Sequence, residues 1–575
     1  MSKLKFLNFV FILVCCLVYT SHCLARDYTD FEREYYIENI KKYTEEIKKN
    51  PNESLLYGAR GEAYYDLGKY GQAIDDFTKS ITLNNNNIGV SSLYINRGNA
   101  YKYIKNNDLA LQDFNKAIEL DKENEMAYSA RGMFYYEINE NHKAIDDFTK
   151  VIEICSNDNK DYNDYYGYQE RGWVYDKLKQ YDKAVADYSK SIELEKNAAF
   201  TYYNRGVAYI NLNENNKAIK DFTKSIELDS NDSYAYYYRG IAFFRINQND
   251  KAIEDFTKSI QLNPKDYYAY YQRACVYKVL DQKYKAIDDF TKAIQLNSNE
   301  FIFYNARGSM YYELGEYEKA LNDLNKAIEL NPNDIFFYNE RGLIYEKLKK
   351  YEEAIEDFTK SIQLNSNKYI NSGFYYERGL IYYKLREYEK ALNDLNKAIE
   401  LEPNYSKAYF ERASVHSKLG QYTEAIQDYN ILMQLEPNNS DYLVLRGITY
   451  YNLGLYNNAL VDFNKVIELN PDDYMTYSCR SEVFSYQGNY NNALSDINKA
   501  IELKSDMEDL YIERASIYCK LGDYSKALID INKSIELNPD YAMAYNNRSY
   551  IYSQLGDYFK ANQDFIKAKE LGFYK

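Results

Sequence analysis

The chain reads as an all-α solenoid, an α-α superhelix of about fifteen tandem helix hairpins, and three observations predict it. An arginine returns from Arg60 to Arg548, mostly at steps of 34 residues. Around each arginine, apolar and small residues recur at helical spacing twice per step. Composition is uniform along the 575 residues, so the length divides into repeats and not into three or four unlike domains.

The step holding Arg307 shows the elements in order. Tyr304, Arg307, Gly308, Tyr311 and Leu314 lie at i, i+3, i+4, i+7 and i+10, one face of a first helix, A. A turn at Gly315-Glu316 follows. Then Ala320, Leu321, Leu324, Ala327 and Ile328 form the stripe of a second helix, B, which stops at Leu330-Asn331-Pro332. So short a turn makes A and B antiparallel, and a hairpin this small cannot bury both stripes alone, so neighbours must stack. Three steps are longer, with the excess at Ile88 to Val90, Asn159 to Asp164 and Tyr369 to Asn371, which predicts a surface loop after helix B.

With each arginine set at place seven of its repeat, place four is Tyr in fourteen repeats and Leu443 in one. Place eight is Gly, Ala or Ser, place eleven is aromatic except at His416, place twenty is always Ala, and all seven prolines fall at place thirty-two. Residues 54–575 thereby resemble the tetratricopeptide repeat (TPR) unit, W-x2-L-G-x2-Y, then A-x3-F, then P. The resemblance implies close approach of A to B at places eight and twenty. It also implies a concave groove lined by places two, five, nine and twelve of helix A, and a role as an interaction scaffold. The sequence departs from the family in carrying Arg at place seven where Leu is usual. Sixteen residues after each of the fifteen arginines stands an aspartate, as in Arg341 and Asp357, which reads as a guanidinium-carboxylate bridge from A to B. An unvarying partner carboxylate argues against a ladder for an acidic ligand.

Residues 1–25 carry Lys3 and Lys5, an apolar run from Phe6 to Val18 broken by Asn8, and Cys23-Leu24-Ala25, the pattern of a secretory signal peptide cut after Ala25. The run is shorter than the roughly 20 apolar residues of a spanning helix. Residues 26–53, with Tyr43, Ile47 and Pro51, read as a half-repeat that caps the first hairpin, and residues 54–575 as the fifteen repeats. Lys569 puts a polar side chain on the outer face of the last helix B, as a terminal cap requires.

The net charge of −15 becomes −17 without the first 25 residues, which argues against nucleic acid as a partner. One tryptophan, three histidines and the absence of CxxC, GxSxG, HExxH or a Gly-rich phosphate loop leave no catalytic, cofactor-binding or metal-binding residue to assign. No segment remains for a catalytic domain, so the chain does not read as an enzyme. Cys155, Cys275, Cys479 and Cys519 are expected to be free thiols. Of the N-x-[ST] sites, Asn532 and Asn547 fall inside expected helices, where a glycan would disturb packing.

Repeats five to seven are aromatic at both places two and five. Phe200, Tyr203, Tyr234, Tyr237, Tyr268 and Tyr271, extended by Phe244 at place twelve, form the candidate peptide-binding strip. Packing between repeats is the alternative use of the same rings. The expected function is an exported scaffold that holds a protein or peptide ligand in the groove. The alternative is a substrate-recruiting subunit of an envelope assembly or peptide-modifying complex. Membrane contact is expected only through an uncleaved or lipidated N-terminus. The chaperone-tail type of TPR domain uses Lys at place five and Asn at place nine; here only Asn99 has the second feature and Ile95 stands at the first place, so that function is not carried over.

Overall fold

The computed structural model describes residues 30–84, 89–157, 164–365 and 367–573. The expected signal peptide and the extra residues at 88 and 159–163 lie outside them. The described residues contain thirty-one helices and no strand. Asp30–Lys49 comes first, and the rest alternate as A and B, as in Ile335–Lys347 and Tyr351–Leu364. They fall into two compact arrays, Met1–Asn297 and Ser298–Lys575, each described by itself.

Each hairpin turns on one residue at place fifteen with a left-handed backbone, from Asp281 at φ 56° to Gly556 at φ 83°. The turn closes helix A with the expected hydrogen bonds: Lys350 N donates to Tyr345 O at 2.8 Å and Lys349 N to Glu346 O at 2.9 Å. Small residues at place eight admit the B-helix core ring. A Cβ on Gly342 would stand 2.9 Å from Phe358 Cε1, and Phe358 and Ala354 are fully buried.

The extra residues Tyr369 to Asn371 do not form the expected surface loop. They lengthen the A-helix Lys368–Lys384 to 17 residues, against 13 in Ile335–Lys347. The side chain of Asn365 holds this start: its Nδ2 donates to Asn371 Oδ1 at 3.0 Å, and its Oδ1 accepts from Asn367 N at 3.0 Å. An insertion next to a helix start can add a turn when a local side chain satisfies the freed N–H groups.

All fifteen arginines meet their aspartates side-on. Arg341 Nε donates to Asp357 Oδ2 at 2.8 Å and Nη2 to Oδ1 at 2.7 Å, and the same pair of bonds recurs from Arg60–Asp76 to Arg548–Asp564. The carboxylate is the more deeply buried partner, with 6% of the Asp357 side chain exposed against 19% for Arg341. Burial opposes the Arg341 charge, but Asp357 outweighs it and holds the guanidinium pKa above its ordinary value.

Bridges in both arrays also tie in the preceding repeat. Nη1 of Arg341 donates to Asn325 Oδ1 at 2.6 Å, Arg205 to Ser189 Oγ at 3.0 Å and Arg97 to Thr78 Oγ1 at 3.0 Å. Arg60, with no repeat before it, uses Thr44 of helix Asp30–Lys49 at 3.1 Å. One guanidinium thus joins three helices. Place-four tyrosines add a second link between repeats, as when Tyr338 Oη donates to Pro332 O at 3.1 Å.

Candidate functional site

Each A-helix packs on its own B-helix and on the B-helix before it. In both arrays several neighbouring A-helices also touch one another, such as Ser54–Asp66 with Val90–Tyr103 and Asp441–Asn452 with Tyr474–Tyr486. The A-helices therefore form the inner face of each stack.

The rings of repeats five to seven divide by depth. Phe200 is 51% exposed and stacks on Tyr203 at 6.1 Å between centroids, whereas Tyr203 and Tyr237 are buried. Tyr203 rests on Phe222 of its own B-helix at 6.0 Å and on Tyr238 of the next A-helix at 5.7 Å, and Tyr237 meets Phe256 at 5.9 Å. Tyr234, Phe244 and Tyr268 are partly buried against the same core cluster, and Tyr271 meets Phe290 at 5.7 Å. Burial pushes the Tyr271 hydroxyl well above its ordinary value. At place two Phe200 faces outward while Tyr234 and Tyr268 pack only partly, whereas place five lies opposite the B-helix ring and leans on it. Tyr238 at place six joins this cluster, a contribution that the reading of places two and five missed.

Other inner-face groups escape a search for aromatic pairs. On the A-helix Asp164–Lys177, Glu170, Trp173 and Asp176 lie three residues apart and share one side. Both Glu170 oxygens accept from Ser129 Oγ of the preceding A-helix, at 2.8 and 3.0 Å. Burial pushes the Glu170 carboxyl up to about 7 against the pull of that hydroxyl, and burial alone pushes Asp176 up to about 7. Asp176 Oδ1 and Trp173 Nε1 are buried without a hydrogen-bond partner among the described residues. The Trp173 ring meets Phe200 edge-on at 5.9 Å.

The second array repeats part of this arrangement. Glu513 Oε2 accepts from Ser478 Oγ at 2.6 Å, and burial pushes the carboxyl up to about 7 against the pull of the Ser478 and Ser481 hydroxyls. Nearby, Tyr451 Oη donates to Glu482 Oε1 at 2.9 Å, and burial and the surrounding carboxylates push the Cys479 thiol up to about 12. Cys275, Cys479 and Cys519 are free thiols. No group of three or more His, Cys, Asp or Glu side chains among the described residues is placed to hold a metal ion. Nor is any described helix long and apolar enough to cross a membrane.

Tetratricopeptide repeat models match residues 54–87, 91–124, 127–158, 165–198, 199–232, 233–266 and 267–300. Beyond these they match 335–368, 374–405, 395–427, 440–473, 508–541 and 531–563, and a TPR repeat model matches 308–349. No curated protein matches the chain. Among solved structures, YrrB, described as a TPR protein with an unusual peptide-binding site, is 27% identical over 32% of this chain and 95% of its own, with a TM-score of 0.30. A tetratricopeptide repeat protein from Parabacteroides merdae is 21% identical over 44% of this chain and 98% of its own, with a TM-score of 0.35. Yeast Tom70 is 17% identical over 71% of this chain and 92% of its own, with a TM-score of 0.34. With repeat models matching most of its length, the chain belongs to the tetratricopeptide repeat family, whose members are protein-interaction scaffolds, bind protein or peptide partners and are generally not enzymes.

Proposed function

We propose that this chain is an exported scaffold that holds a polypeptide along the inner face of its A-helices. The observation that carries the reading is a contrast within one chain. The Arg-Asp contact between A and B is the same in all fifteen repeats, while the inner face changes from repeat to repeat. Place two, for instance, is Gly373, Lys407, Asp441 and Met475 in four consecutive repeats. A position that serves only the stack has no reason to vary so widely, whereas a surface read by an extended ligand does. Exposed Phe200 and partly buried Tyr234 and Tyr268 supply the aromatic contact common at protein interfaces. Lys3, Lys5 and the short apolar run of residues 6–18 support export.

The test places a photo-crosslinking phenylalanine analogue at Phe200 or Tyr234 on the inner face, and at Tyr284 or Ile529 on B-helices, where both are largely exposed. Polypeptide adducts are expected from the first pair only. Adducts confined to the B-helix positions would overturn the groove. N-terminal sequencing of the native protein is expected to begin at or near Arg26, and a retained Met1 or Ser2 in a cytoplasmic fraction would overturn export.

A further inference from the structure

The inner face around Trp173 combines aromatic rings with carboxyl groups that have no cation beside them among the described residues. Lysines of this helix and of the A-helices before it are engaged elsewhere. Lys102 Nζ pairs with Glu137 at 2.7 Å, and Lys177 Nζ donates to Tyr136 O at 2.6 Å and lies 4.0 Å from the Tyr136 ring. Glu170 is left with one hydroxyl donor, and Asp176 Oδ1 and Trp173 Nε1 with none. Buried polar atoms normally find partners, and a buried carboxyl normally finds a positive charge. Every seam aspartate in the same molecule does so. The inner-face pair therefore departs from the rule that the rest of the chain obeys.

The aromatic part fits the same kind of guest. Trp173 stands edge-on to Phe200, which is half exposed and stacked on buried Tyr203. Rings held from behind and open in front present a π-face to a cation or to the methylenes that carry one. The chain is acidic, with 86 acidic against 71 basic residues, so a basic segment also approaches with the field in its favour.

We propose that the inner face of repeats four and five, built by Glu170, Trp173, Asp176 and Phe200, is a subsite for a lysine or arginine side chain of a bound polypeptide. The methylenes lie against Trp173 and Phe200, and the charge meets the two carboxyl groups. A cation brought there supplies the counter-charge that the fold withholds. This rests on the groove reading above and narrows it to a basic ligand.

Trp173 is the only tryptophan, so its fluorescence reports on this place alone. The experiment titrates the full chain at pH 7.5 with tetralysine amide, tetraarginine amide, tetraglycine amide and tetraglutamate, and compares Glu170→Gln, Asp176→Asn, Phe200→Ser and, as a control in the other array, Glu411→Gln. The basic peptides are expected to change Trp173 emission saturably and the others not. Glu170→Gln and Asp176→Asn are each expected to weaken binding about tenfold or more, the loss of one charge-assisted contact, while Glu411→Gln leaves it unchanged. Circular dichroism of each variant checks that the fold is kept. Equal response to all four peptides, or binding by Glu170→Gln and Asp176→Asn equal to that of the parent, overturns the subsite. Photo-adducts on the inner face together with failed peptide binding would sink this inference and leave the groove standing, whereas adducts confined to the B-helices sink both.

Discussion

The seam between A- and B-helices and the inner face of the A-helices both take carboxyl groups out of water, yet they treat them in opposite ways. In the seam, each aspartate accepts two bonds from a guanidinium fork, fifteen times over. On the inner face, Glu170, Asp176 and Glu513 are buried with no cation beside them among the described residues, and burial lifts each to about 7. Burying a charge is costly unless it is paired, so a pair present in every repeat is a structural device and an unpaired group asks for another explanation. The contrast separates what holds the stack together from what the stack can hold.

The largest effect is expected in the seam. Arg341→Ala should cost about 3–5 kcal/mol locally, because Asp357 is left buried without its partner. Replacing both, Arg341→Met with Asp357→Leu, should cost much less. Hydrogen exchange of Ile335–Lys347 and Tyr351–Leu364 reads this out repeat by repeat, which suits a stack whose units need not unfold together. If the double replacement costs as much as the two single ones together, the aspartates are not coupled to the arginines and the contrast fails.

In the seam burial also raises the Asp357 carboxyl, but the Arg341 fork pulls against it; on the inner face no such fork opposes burial, so removing the charge is expected to stabilise and not to destabilise. Glu170 holds its proton more tightly in the folded chain, at about 7 against an ordinary 4.5. The stability this contributes is fully present below pH 4.5 and is lost as pH rises through 7, a change of roughly 3 kcal/mol. Glu170→Gln keeps the shape without the charge. It should therefore match the parent near pH 4.5 and exceed it at pH 8, while Asp357→Asn, which breaks a seam pair, should fall below the parent at pH 8. Melting curves of the three proteins at both pH values check the prediction, and a Glu170→Gln protein no more stable than the parent at pH 8 would remove the unpaired charge from the inner face.

The seam was legible because its two ends recur at one offset. Its third contact was equally visible but unread. Place twenty-five is Thr, Asn or Ser in the fourteen repeats from Thr78 to Asn532 and Ile566 in the fifteenth. Recognising it requires knowing which side of helix B faces the next repeat, which spacing within one helix does not give. The strip in repeats five to seven was legible in register but not in depth, since two residues three apart share a face while only one meets the ring of helix B. Glu170 and Asp176 look like any helix-surface acids. Their burial depends on side chains brought by neighbouring repeats, and no local pattern carries it.

The third contact gives a smaller test of the seam. Asn325→Ala leaves the Arg341–Asp357 pair intact and removes only the bond to Nη1, so a loss of about 1 kcal/mol is expected, felt as weaker protection of both Tyr317–Leu330 and Ile335–Lys347. Ile566→Ala should not move the seam at all, because Ile566 meets no arginine there. A loss confined to helix Tyr317–Leu330 would mean that Asn325 serves its own helix and not the link between repeats.

The smallest effect lies at the hairpin turn, where the two arrays differ in how they meet one backbone demand. Place fifteen is left-handed throughout, but in the first array Gly68 stands with Lys105, Asn139, Lys179, Asn213, Asn247 and Asp281, while in the second glycine fills six of the eight turns and only Lys349 and Arg386 depart. A side chain at φ 58°, as on Lys349, crowds its own backbone, whereas glycine adopts the same angle freely but loses more entropy on folding. The first term outweighs the second, so Lys349→Gly should stabilise its hairpin by about 0.5–1 kcal/mol, and Gly315→Lys should destabilise its own by a similar amount. Nothing lies within 4 Å of a Cβ on Gly315, so the second change measures backbone strain without a clash. Paired melts of the two variants check the signs. If both are neutral, the turn is not strained, and the uniformity of this chain rests on the seam alone.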